Sequence, residues 1–405
     1  MLAIIHGKII TPLEEIENGV ILIEDQKIQE IGHADLVIVP EGAEVFDARG
    51  KIVCPGFIDI HLHGAKGHDF AEATPEAIRE IVDFHCAHGT TSFLPTLISL
   101  PDEKIFTALE QLPKAWLETG YSSSFLGIHL EGPFLNPSYR GVHNAQYLRI
   151  PSVKKVESFL THSARMVRMI TLAPELPYSL EVIQRLSQRE VIASIGHSGA
   201  TYSQVERAAQ EGLVHVTHTF NAMAGLHHRE PGVVGAALDI EDISTDIIAD
   251  ERHVHPAALR LLWRQKGENK VILITDASPV AGLPSGTYPL WDREVRLDGN
   301  KVITTDSGQL AGSAITMDSA IRNFKAATGC TLSQAIRLAT YNPAVLLGIE
   351  SRKGLLARGN DADLVIMSGA GTVSGAGAVD ENLQIEAVIV NGVIVSGKIL
   401  KRRQL

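Results

Sequence analysis

The middle of the chain alternates short apolar runs with amphipathic segments of helical period. The runs are bounded by turn residues and read as buried strands. One representative helix is TPEAIREIVDFHCAHG, in which Thr74 caps the first turn, Pro75 takes the first helical position and Gly89 lies past the end. Repeated strand–helix units predict a parallel sheet, and their number favours a TIM-like (β/α)8 barrel over an open sheet.

Both ends of the chain have a different pattern, in which apolar and polar positions alternate as in half-buried strands. AIIHGKII lies near the N-terminus and EAVIVNGVIVSGKIL near the C-terminus. Asn391-Gly392 between two apolar runs predicts a type I′ hairpin. We expect the two ends to pair into one small β-sandwich domain. The predicted boundaries are 1–52 with 355–405 for this discontinuous domain and 53–354 for the barrel.

Three segments break the strand–helix rhythm. Residues 283–310 predict a β-hairpin turning at Asp298-Gly299, inserted in a barrel loop. TLSQAIRLATYNPAVLLG predicts a helix followed by a Pro-bounded turn. SGAGTVSGAGAVDE is rich in Gly, Ala and Ser and predicts a loop.

Five apolar runs end on residue types that bind metal ions. They are FIDIHLHG with His61 and His63, LGIHLEGP with Glu131, VIASIGHS with His197, LVHVTHTFN with His218, and VILITDAS with Asp276. In a parallel barrel the carboxyl ends of the strands meet on one face, where active sites lie. Imidazole and carboxylate groups meeting there suit a divalent metal that activates water.

The spacing of these residues indicates how they would bind a metal. His61 and His63 lie two apart in a strand, so both rings can face the same cavity. Glu131 can bind one metal or bridge two, although a solvated loop glutamate is the alternative. His197 and His218 end separate strands, and with Glu131 they supply the three protein ligands of a catalytic metal site.

Asp276 ends the run ILITD after four apolar residues. A buried carboxylate needs a partner, and beside metal-activated water it can take a proton and later return it to a leaving group. Its alternative is a helix N-cap before Ala277.

Charge and composition exclude several classes of protein. The chain has 405 residues with a net charge of −11 and no basic stripe, which argues against a nucleic-acid partner. No apolar run approaches the ~20 residues of a membrane span. Lys8 interrupts the N-terminal apolar run before a signal-peptide core could form. The three cysteines are odd in number and widely spaced, which fits a reducing compartment, so we expect a cytoplasmic protein.

The motifs together resemble the amidohydrolase superfamily and, within it, the family of N-acetylglucosamine-6-phosphate deacetylases. The resemblance covers nearly the whole chain in the family's order. Its motifs are PGFIDIHLHG, HLEGPFL with GVHN, GHSGAT, THTFNAM with REPG, TDA and LAGSAITM. EGPF, FNAM with REPG, and AGS are not needed for metal binding in general, so they make the narrower resemblance specific.

The resemblance implies hydrolysis of the acetamide of N-acetylglucosamine 6-phosphate to glucosamine 6-phosphate and acetate, in amino-sugar metabolism. It implies that Glu131, His197 and His218 hold the principal metal and that Asp276 is the acid/base. The His61 and His63 pair favours a second metal site, so one or two ions are expected per subunit. Zinc is the metal favoured here, and iron, manganese and cobalt use the same ligand types.

The same resemblance implies roles for further individual residues. His143 in GVHN resembles a substrate-binding histidine, and Asn221 with Ala222 resembles a loop that meets the phosphate. Arg229 resembles a phosphate-binding arginine that reaches the neighbouring subunit's site, which implies a homodimer. His253 resembles a histidine that polarises the acetyl carbonyl. An arginine fork suits a phosphate dianion, and a histidine can stabilise a developing oxyanion.

Two alternatives stay open from the sequence. The first is another amidohydrolase, such as a cyclic-amide hydrolase or a deaminase, which would keep the metal ligands without the phosphate-binding groups. The second is a catalytically inactive barrel that serves as a binding protein. Inactive relatives should have lost ligands, whereas all six candidate metal and acid/base residues are present here.

Overall fold

The computed structural model describes residues 1–368 and 383–397. The N-terminal part begins with strands only, as its alternating pattern predicts. Its elements are β1 (Leu2–Ile10), β2 (Glu15–Glu24), β3 (Lys27–His33), β4 (Glu44–Asp47) and β5 (Ile52–Pro55).

The central part alternates strands and helices. Its elements are β6 (Phe57–Leu62), β7 (Gly64–Ala65), β8 (His68–Asp69), α1 (Pro75–Cys86), β9 (Thr90–Leu97), α2 (Asp102–Leu117), β10 (Ile128–Glu131), α3 (Val153–His162), β11 (Val167–Leu172), α4 (Ser179–Gln188), β12 (Ile192–Ile195), α5 (Tyr202–Gln210), β13 (Leu213–Val216), α6 (Gly232–Asp239), β14 (Ser244–Ile248), α7 (Pro256–Lys270) and β15 (Val271–Ile274). The predicted cap of α1 is confirmed, because the backbone N–H of Ala77 donates to Thr74 Oγ1 at 3.3 Å.

An inserted sheet, three further helices and the C-terminal strands complete the described chain. They are β16 (Gly286–Leu290), β17 (Arg293–Asp298), β18 (Lys301–Thr304), α8 (Met317–Thr328), α9 (Leu332–Leu338), α10 (Tyr341–Leu347), β19 (Leu364–Ser368), β20 (Gln384–Val390) and β21 (Val393–Gly397). Most of the predicted Gly/Ala/Ser-rich loop lies outside the described residues.

The barrel strands form one sheet in the order β15-β14-β13-β12-β11-β10-β9-β6, which is eight strands in the described part of the chain. Neighbours from β9 to β15 pair in parallel. The first and last strands meet just beyond their ends. There Asp276 N–H donates to His61 O, and His63 N–H donates to Ala277 O, both at 2.8 Å. The predicted (β/α)8 barrel is confirmed.

Strands from both termini share a second sheet, in the order β21-β20-β19-β5-β1-β2-β3, with β4 paired to β1. Their apolar side chains share one core, which includes Ile21, Val53 and Ile389. Asn391 and Gly392 form the two-residue turn between β20 and β21, with φ of 53° and 79°, as a type I′ turn requires. The prediction that the two ends pair into one β domain is confirmed.

Two sequence interpretations need correction. The insertion is a three-stranded antiparallel sheet rather than one hairpin, because a second tight turn at Trp291-Asp292 adds β16 to β17. The turn between β17 and β18 falls at Gly299-Asn300. The expected Pro-bounded turn is the start of α10, because Pro343 lies in the first turn of that helix, where its missing N–H has no intrahelical role.

The chain divides into two compact units. One comprises Met1–Ile58, His85–Ser92 and the described residues from Met317 onward, and the other comprises Asp59–Phe84 and Phe93–Thr316. The predicted boundaries at residues 52 and 355 stay a prediction. Within the described residues, no helix is both long and apolar enough to cross a bilayer.

Candidate metal centre and active site

The junction between the first and last barrel strands brings two histidines to one carboxylate. His61 Nε2 lies 3.5 Å, and His63 Nε2 lies 3.3 Å, from Asp276 Oδ1. All three side chains are buried. Alternate residues of a strand face one side, so the backbone pairing at this junction places both rings beside Asp276.

A second group forms where β10, β12 and β13 end. His197 Nε2 and His218 Nε2 each lie 3.0 Å from Glu131 Oε1, and 3.1 Å from each other. Glu131 is 4 % exposed, so both oxygens are removed from bulk water. The three residues that the sequence predicts as principal metal ligands therefore meet at one point.

Glu131 connects the two groups into one cluster. Its Oε1 lies 3.6 Å from His61 Nε2, and its Oε2 lies 3.4 Å from His63 Nε2. Oε1 thus faces members of both groups and Oε2 faces His63, so the carboxylate lies between the two groups. The bridging role of Glu131 stays a prediction.

The chemistry of the cluster fits a divalent metal. Neither ring nitrogen of His61 has a hydrogen-bond partner in the described part of the chain, although the ring is fully buried. An unpartnered buried imidazole is costly, and a cation that accepts its lone pair would remove that cost. Nitrogen and oxygen donors without a thiolate suit zinc, iron, manganese or cobalt.

Backbone carbonyls orient two of the histidine rings. His63 Nδ1 lies 3.2 Å from Thr96 O, and His197 Nδ1 lies 2.9 Å from Tyr139 O. A carbonyl oxygen only accepts, so each Nδ1 carries a hydrogen and each Nε2 is the nitrogen that faces the cluster and can give a lone pair to a cation. Both rings thus have the tautomer that metal binding needs.

His143 has the opposite orientation. The backbone N–H of Ser99 donates to His143 Nδ1 at 3.3 Å, so Nε2 carries the hydrogen. That Nε2 lies 3.3 Å from Glu131 Oε2, where it can donate to the carboxylate. Burial lowers the pKa of His143 to about 4, so the ring is neutral near pH 7. The structure thus places this predicted substrate residue beside Glu131, a predicted metal ligand.

The cluster holds its carboxylates ionised. Burial alone would raise the pKa of Glu131, but the electrostatic influence of His61 and the hydrogen bond from His143 outweigh it and hold that pKa well below 4.5. The same balance, with His61 and His63 as partners, lowers the pKa of Asp276. Burial lowers the proton affinity of His63, yet hydrogen bonds to Asp276 and Glu131 raise its pKa to about 10. A cation binding there would displace that proton.

Three cluster residues have left-handed backbone conformations. φ is 50° at His197, 32° at His218 and 48° at Asp276. Residues other than glycine rarely adopt such angles, and they persist where the surrounding structure holds them, often at functional sites. Each lies where a strand ends and turns, so the conformation re-aims the side chain into the cluster.

The cluster opens into a cavity of about 240 Å³. Asn221, Ala222 and His253 also line it, so the structure brings these three predicted residues to the cluster. His253 Nδ1 donates to Asp250 Oδ2 at 2.7 Å, which fixes the ring. Arg229 lies on an exposed loop outside this cavity, with its guanidinium 2.9 Å from His228 Nε2. Within one chain, Arg229 does not join the site.

Sequence reasoning missed three residues of the site. Asp250 follows the end of β14 and lies three residues before His253, so the strand-end pattern could have found it. Ser99 and Trp291 offered no comparable signal, since a loop serine and a hairpin aromatic are common on any surface. Trp291 lines the cavity beside His63.

The fold and the site are those of barrel hydrolases whose strand ends carry a histidine and carboxylate metal cluster. A model described as the amidohydrolase family matches residues 52–400. This chain belongs to the amidohydrolase family, and it is a hydrolase.

Curated relatives and solved structures narrow the comparison. The chain is 33 % identical to an N-acetylgalactosamine-6-phosphate deacetylase of Escherichia coli O157:H7, over 92 % of this chain and 96 % of the relative. It is 36 % identical to an N-acetylglucosamine-6-phosphate deacetylase of Bacillus subtilis (strain 168), over 89 % and 91 %. A mutant N-acetyl-D-glucosamine-6-phosphate deacetylase of Mycobacterium smegmatis, solved in complex with N-acetyl-D-glucosamine-6-phosphate, superposes with a TM-score of 0.88 at 30 % identity, over 97 % of this chain and 99 % of that one.

Proposed function

We propose that this hydrolase cleaves the acetamide of N-acetylglucosamine 6-phosphate, in amino-sugar metabolism. Water adds its oxygen to the acyl carbon, the C–N bond breaks, and acetate and glucosamine 6-phosphate leave. The observation that carries the proposal is the buried cluster at the base of a 240 Å³ cavity, in a chain similar to deacetylases of this name over most of its length.

We assign the principal divalent ion to Glu131, His197 and His218, and a second ion to His61 and His63. Zinc is our first choice, with iron, manganese or cobalt as alternatives. When bound, such an ion would lower the pKa of water, so that hydroxide is available near neutral pH, and would polarise the carbonyl. The Nε2 atoms that His63 and His197 direct into the cluster support the assignment.

Asp276 is the proposed general acid and base. Its ionised carboxylate takes a proton from the attacking water and returns it to the nitrogen of the leaving amine, which would otherwise depart as an unstable anion. The support is its position at the base of the cavity, 3.3 Å from His63 Nε2, together with its lowered pKa.

His253 is proposed to stabilise the acyl oxygen. Its hydrogen bond to Asp250 fixes the ring, so the other ring nitrogen can donate to an oxygen that gains negative charge. Burial raises the pKa of Asp250, but the hydrogen bond and charge of His253 outweigh it and lower that pKa. Because Nδ1 donates to Asp250, the ring must carry a hydrogen on both nitrogens to donate to the acyl oxygen.

The phosphate is proposed to lie at the Asn221 and Ala222 side of the cavity, with His143 contacting the sugar. Arg229 would complete the phosphate site from a second copy of the chain, because its exposed loop does not reach its own cavity. This proposal requires a homodimer. Holding a phosphate remote from the reacting bond orients the acetamide for attack.

The test is acetate release by the purified protein, with elemental analysis of the same sample. N-Acetylglucosamine 6-phosphate should be hydrolysed at least about tenfold faster, by kcat/KM, than N-acetylgalactosamine 6-phosphate. Unphosphorylated N-acetylglucosamine and a cyclic amide should be poorer still. Better turnover of the galactosamine compound would move the assignment to that sugar, and turnover of the cyclic amide alone would refute deacetylation.

We also propose a cytoplasmic location. Cys54, Cys86 and Cys330 are buried thiols, as a reducing compartment allows. Fractionation of expressing cells should recover the activity with cytoplasmic markers.

A further inference from the structure

The tight turn that begins the inserted sheet carries a tryptophan where glycine is usual. Leu290 pairs with Arg293, which leaves Trp291 and Asp292 as a two-residue loop. Trp291 has a φ of 54° at the first loop position, and a positive φ there is normally supplied by Gly or Asn. A bulky residue persists in this conformation only where its surroundings hold it.

The surroundings hold the indole against the metal cluster. Trp291 Nε1 donates to Asp69 Oδ2 at 2.8 Å. The ring meets His63 edge to face, with centroids 5.5 Å apart and planes at 81°. Asp292 accepts a hydrogen bond of 2.6 Å from Asn144 Nδ2, which fixes the same turn. The tryptophan is therefore clamped beside a proposed metal ligand.

A second and larger cavity lies on the other side of this tryptophan. It measures about 750 Å³, and its lining shares Ile98, Val142 and Trp291 with the 240 Å³ catalytic cavity. Val142 and Trp291 also pack on the apolar core of the inserted sheet, which includes Leu290 and Val295. One apolar wall thus borders both cavities.

The wall matches the apolar end of an acyl group. The carbonyl of a bound acetamide must face the polar cluster, whereas its methyl group gains by contacting apolar surface. Trp291 touches His63, so the wall lies next to the place where the acyl carbon reacts. A longer acyl chain would have to enter the volume that Ile98, Val142 and Trp291 fill.

We propose that Trp291, together with Ile98 and Val142, determines acyl-chain length and restricts this enzyme to short N-acyl groups. Removing the indole joins the catalytic cavity to the 750 Å³ cavity and admits linear acyl chains of three or four carbons. The inference rests on the proposed amide hydrolysis of an N-acylhexosamine 6-phosphate, and it gives the inserted sheet a function.

The experiment compares kcat/KM for N-acetyl- and N-butyrylglucosamine 6-phosphate. One methylene in an apolar pocket changes kcat/KM by about tenfold or more, so the native enzyme should prefer acetyl by at least that factor. Trp291→Ala and Val142→Ala should each reduce the preference at least about tenfold, through faster butyryl turnover. Thr287→Ala, an exposed change in the same sheet, should leave it unaltered.

Controls distinguish selection of the acyl chain by Trp291 from mere support of His63. Trp291→Phe keeps an aromatic wall without the indole N–H and should retain the acetyl preference. If Trp291→Ala lowers turnover of both compounds equally and the metal content falls, the tryptophan only supports His63 and the inference is refuted. If Trp291→Ala does not fold, Val142→Ala decides the question alone.

The result for the native enzyme separates this inference from the proposed function. The native protein and the Trp291→Ala and Val142→Ala variants could release acetate with the same preference for acetyl over butyryl. That result overturns the acyl-length role and leaves deacetylation standing. If the native protein hydrolyses neither compound, the proposed function fails and the acyl-length role fails with it.

Discussion

Two buried sets of charged side chains, one in each compact unit, differ in how their charges are satisfied. In the unit with the termini, Lys353 is 3 % exposed, and its ammonium contacts Asp363 and, at 3.1 Å, Asp361 Oδ2. Lys27 adds a contact of 2.6 Å to Asp361 Oδ1. The N–H of Asn391 donates to Asp363 Oδ1 at 2.7 Å, so every carboxylate oxygen of this pair has a partner.

The barrel cluster lacks such internal balance. Its ring nitrogens crowd around the oxygens of Glu131 and Asp276, while both nitrogens of His61 have no hydrogen-bond partner in the described chain. The difference teaches that burial of charge alone does not identify a site. A set whose members satisfy one another stabilises the fold, whereas a set whose buried nitrogens converge without hydrogen-bond partners indicates a metal-binding site.

The largest expected effect is the loss of the ligand that joins the barrel groups. Glu131→Gln removes a charge and one oxygen from the cluster, so activity should fall by about 10⁴-fold with loss of bound metal. Acetate release and elemental analysis measure both. Exposed Glu206→Gln is the matched control. Normal metal content and turnover in Glu131→Gln would erase the distinction between the two sets.

Asp276→Asn should separate proton transfer from metal binding within the barrel cluster. The amide keeps the size of the side chain but cannot shuttle a proton, so kcat should fall by about 10³-fold with the metal retained. Elemental analysis of the variant checks the second half of the prediction. Near-native kcat would remove Asp276 from the acid/base role.

Asp363→Ala tests the other set. It leaves the buried ammonium of Lys353 with one carboxylate and should lower the free energy of unfolding by about 3 kcal/mol, with kcat unchanged in the folded fraction. Urea unfolding measures the stability. The exposed Glu41→Ala variant should change it by less than about 0.5 kcal/mol. A loss of kcat without a loss of stability would contradict a structural role.

Asp250→Asn should have a smaller effect, because it acts through His253. The amide no longer offers the ring a negatively charged acceptor, so kcat should fall by about 10- to 100-fold at constant metal content. The same variant should shift the pH profile of kcat, which a purely structural role would leave in place. An unchanged profile would assign Asp250 to packing alone.

The smallest expected effect is the pH dependence of the Lys353 set. Burial raises the pKa of Asp361, but the hydrogen bond to Lys27 and the charge of Lys353 outweigh it and hold that pKa below 3.8. A carboxyl with a lowered pKa in the fold stabilises it above pH about 4, and that contribution is lost as pH falls further. Urea midpoints between pH 3 and 6 should fall less in Asp361→Asn than in the native protein.

Much of the site could be read from single strands. His61, His63, Glu131, His197, His218 and Asp276 each end an apolar run, and a parallel barrel brings such ends to one face whatever the loops do. The pairing of the two termini followed in the same way from alternation and from Asn391-Gly392, because these signals are local.

Contacts between distant segments could not be predicted from the sequence. Trp291 reaches His63 only because a two-residue turn interrupts the expected first strand of the hairpin. The tautomer of His143 depends on Ser99. Asp361, which contacts Lys353, also needs Lys27, and that residue lies far away in sequence. The local hydrophobic periodicity of the sequence does not predict such pairings.

The amino-acid sequence by itself determined the barrel, the paired termini and the residues at the strand ends, because periodicity and strand polarity are properties of neighbouring residues. Only the tertiary structure decided which oxygen of Glu131 faces which histidine, and which buried charges are satisfied. It also decided that Arg229 stays outside its own cavity. The physical reason is that hydrogen-bond geometry and cavity shape depend on side chains that meet only after the chain has folded.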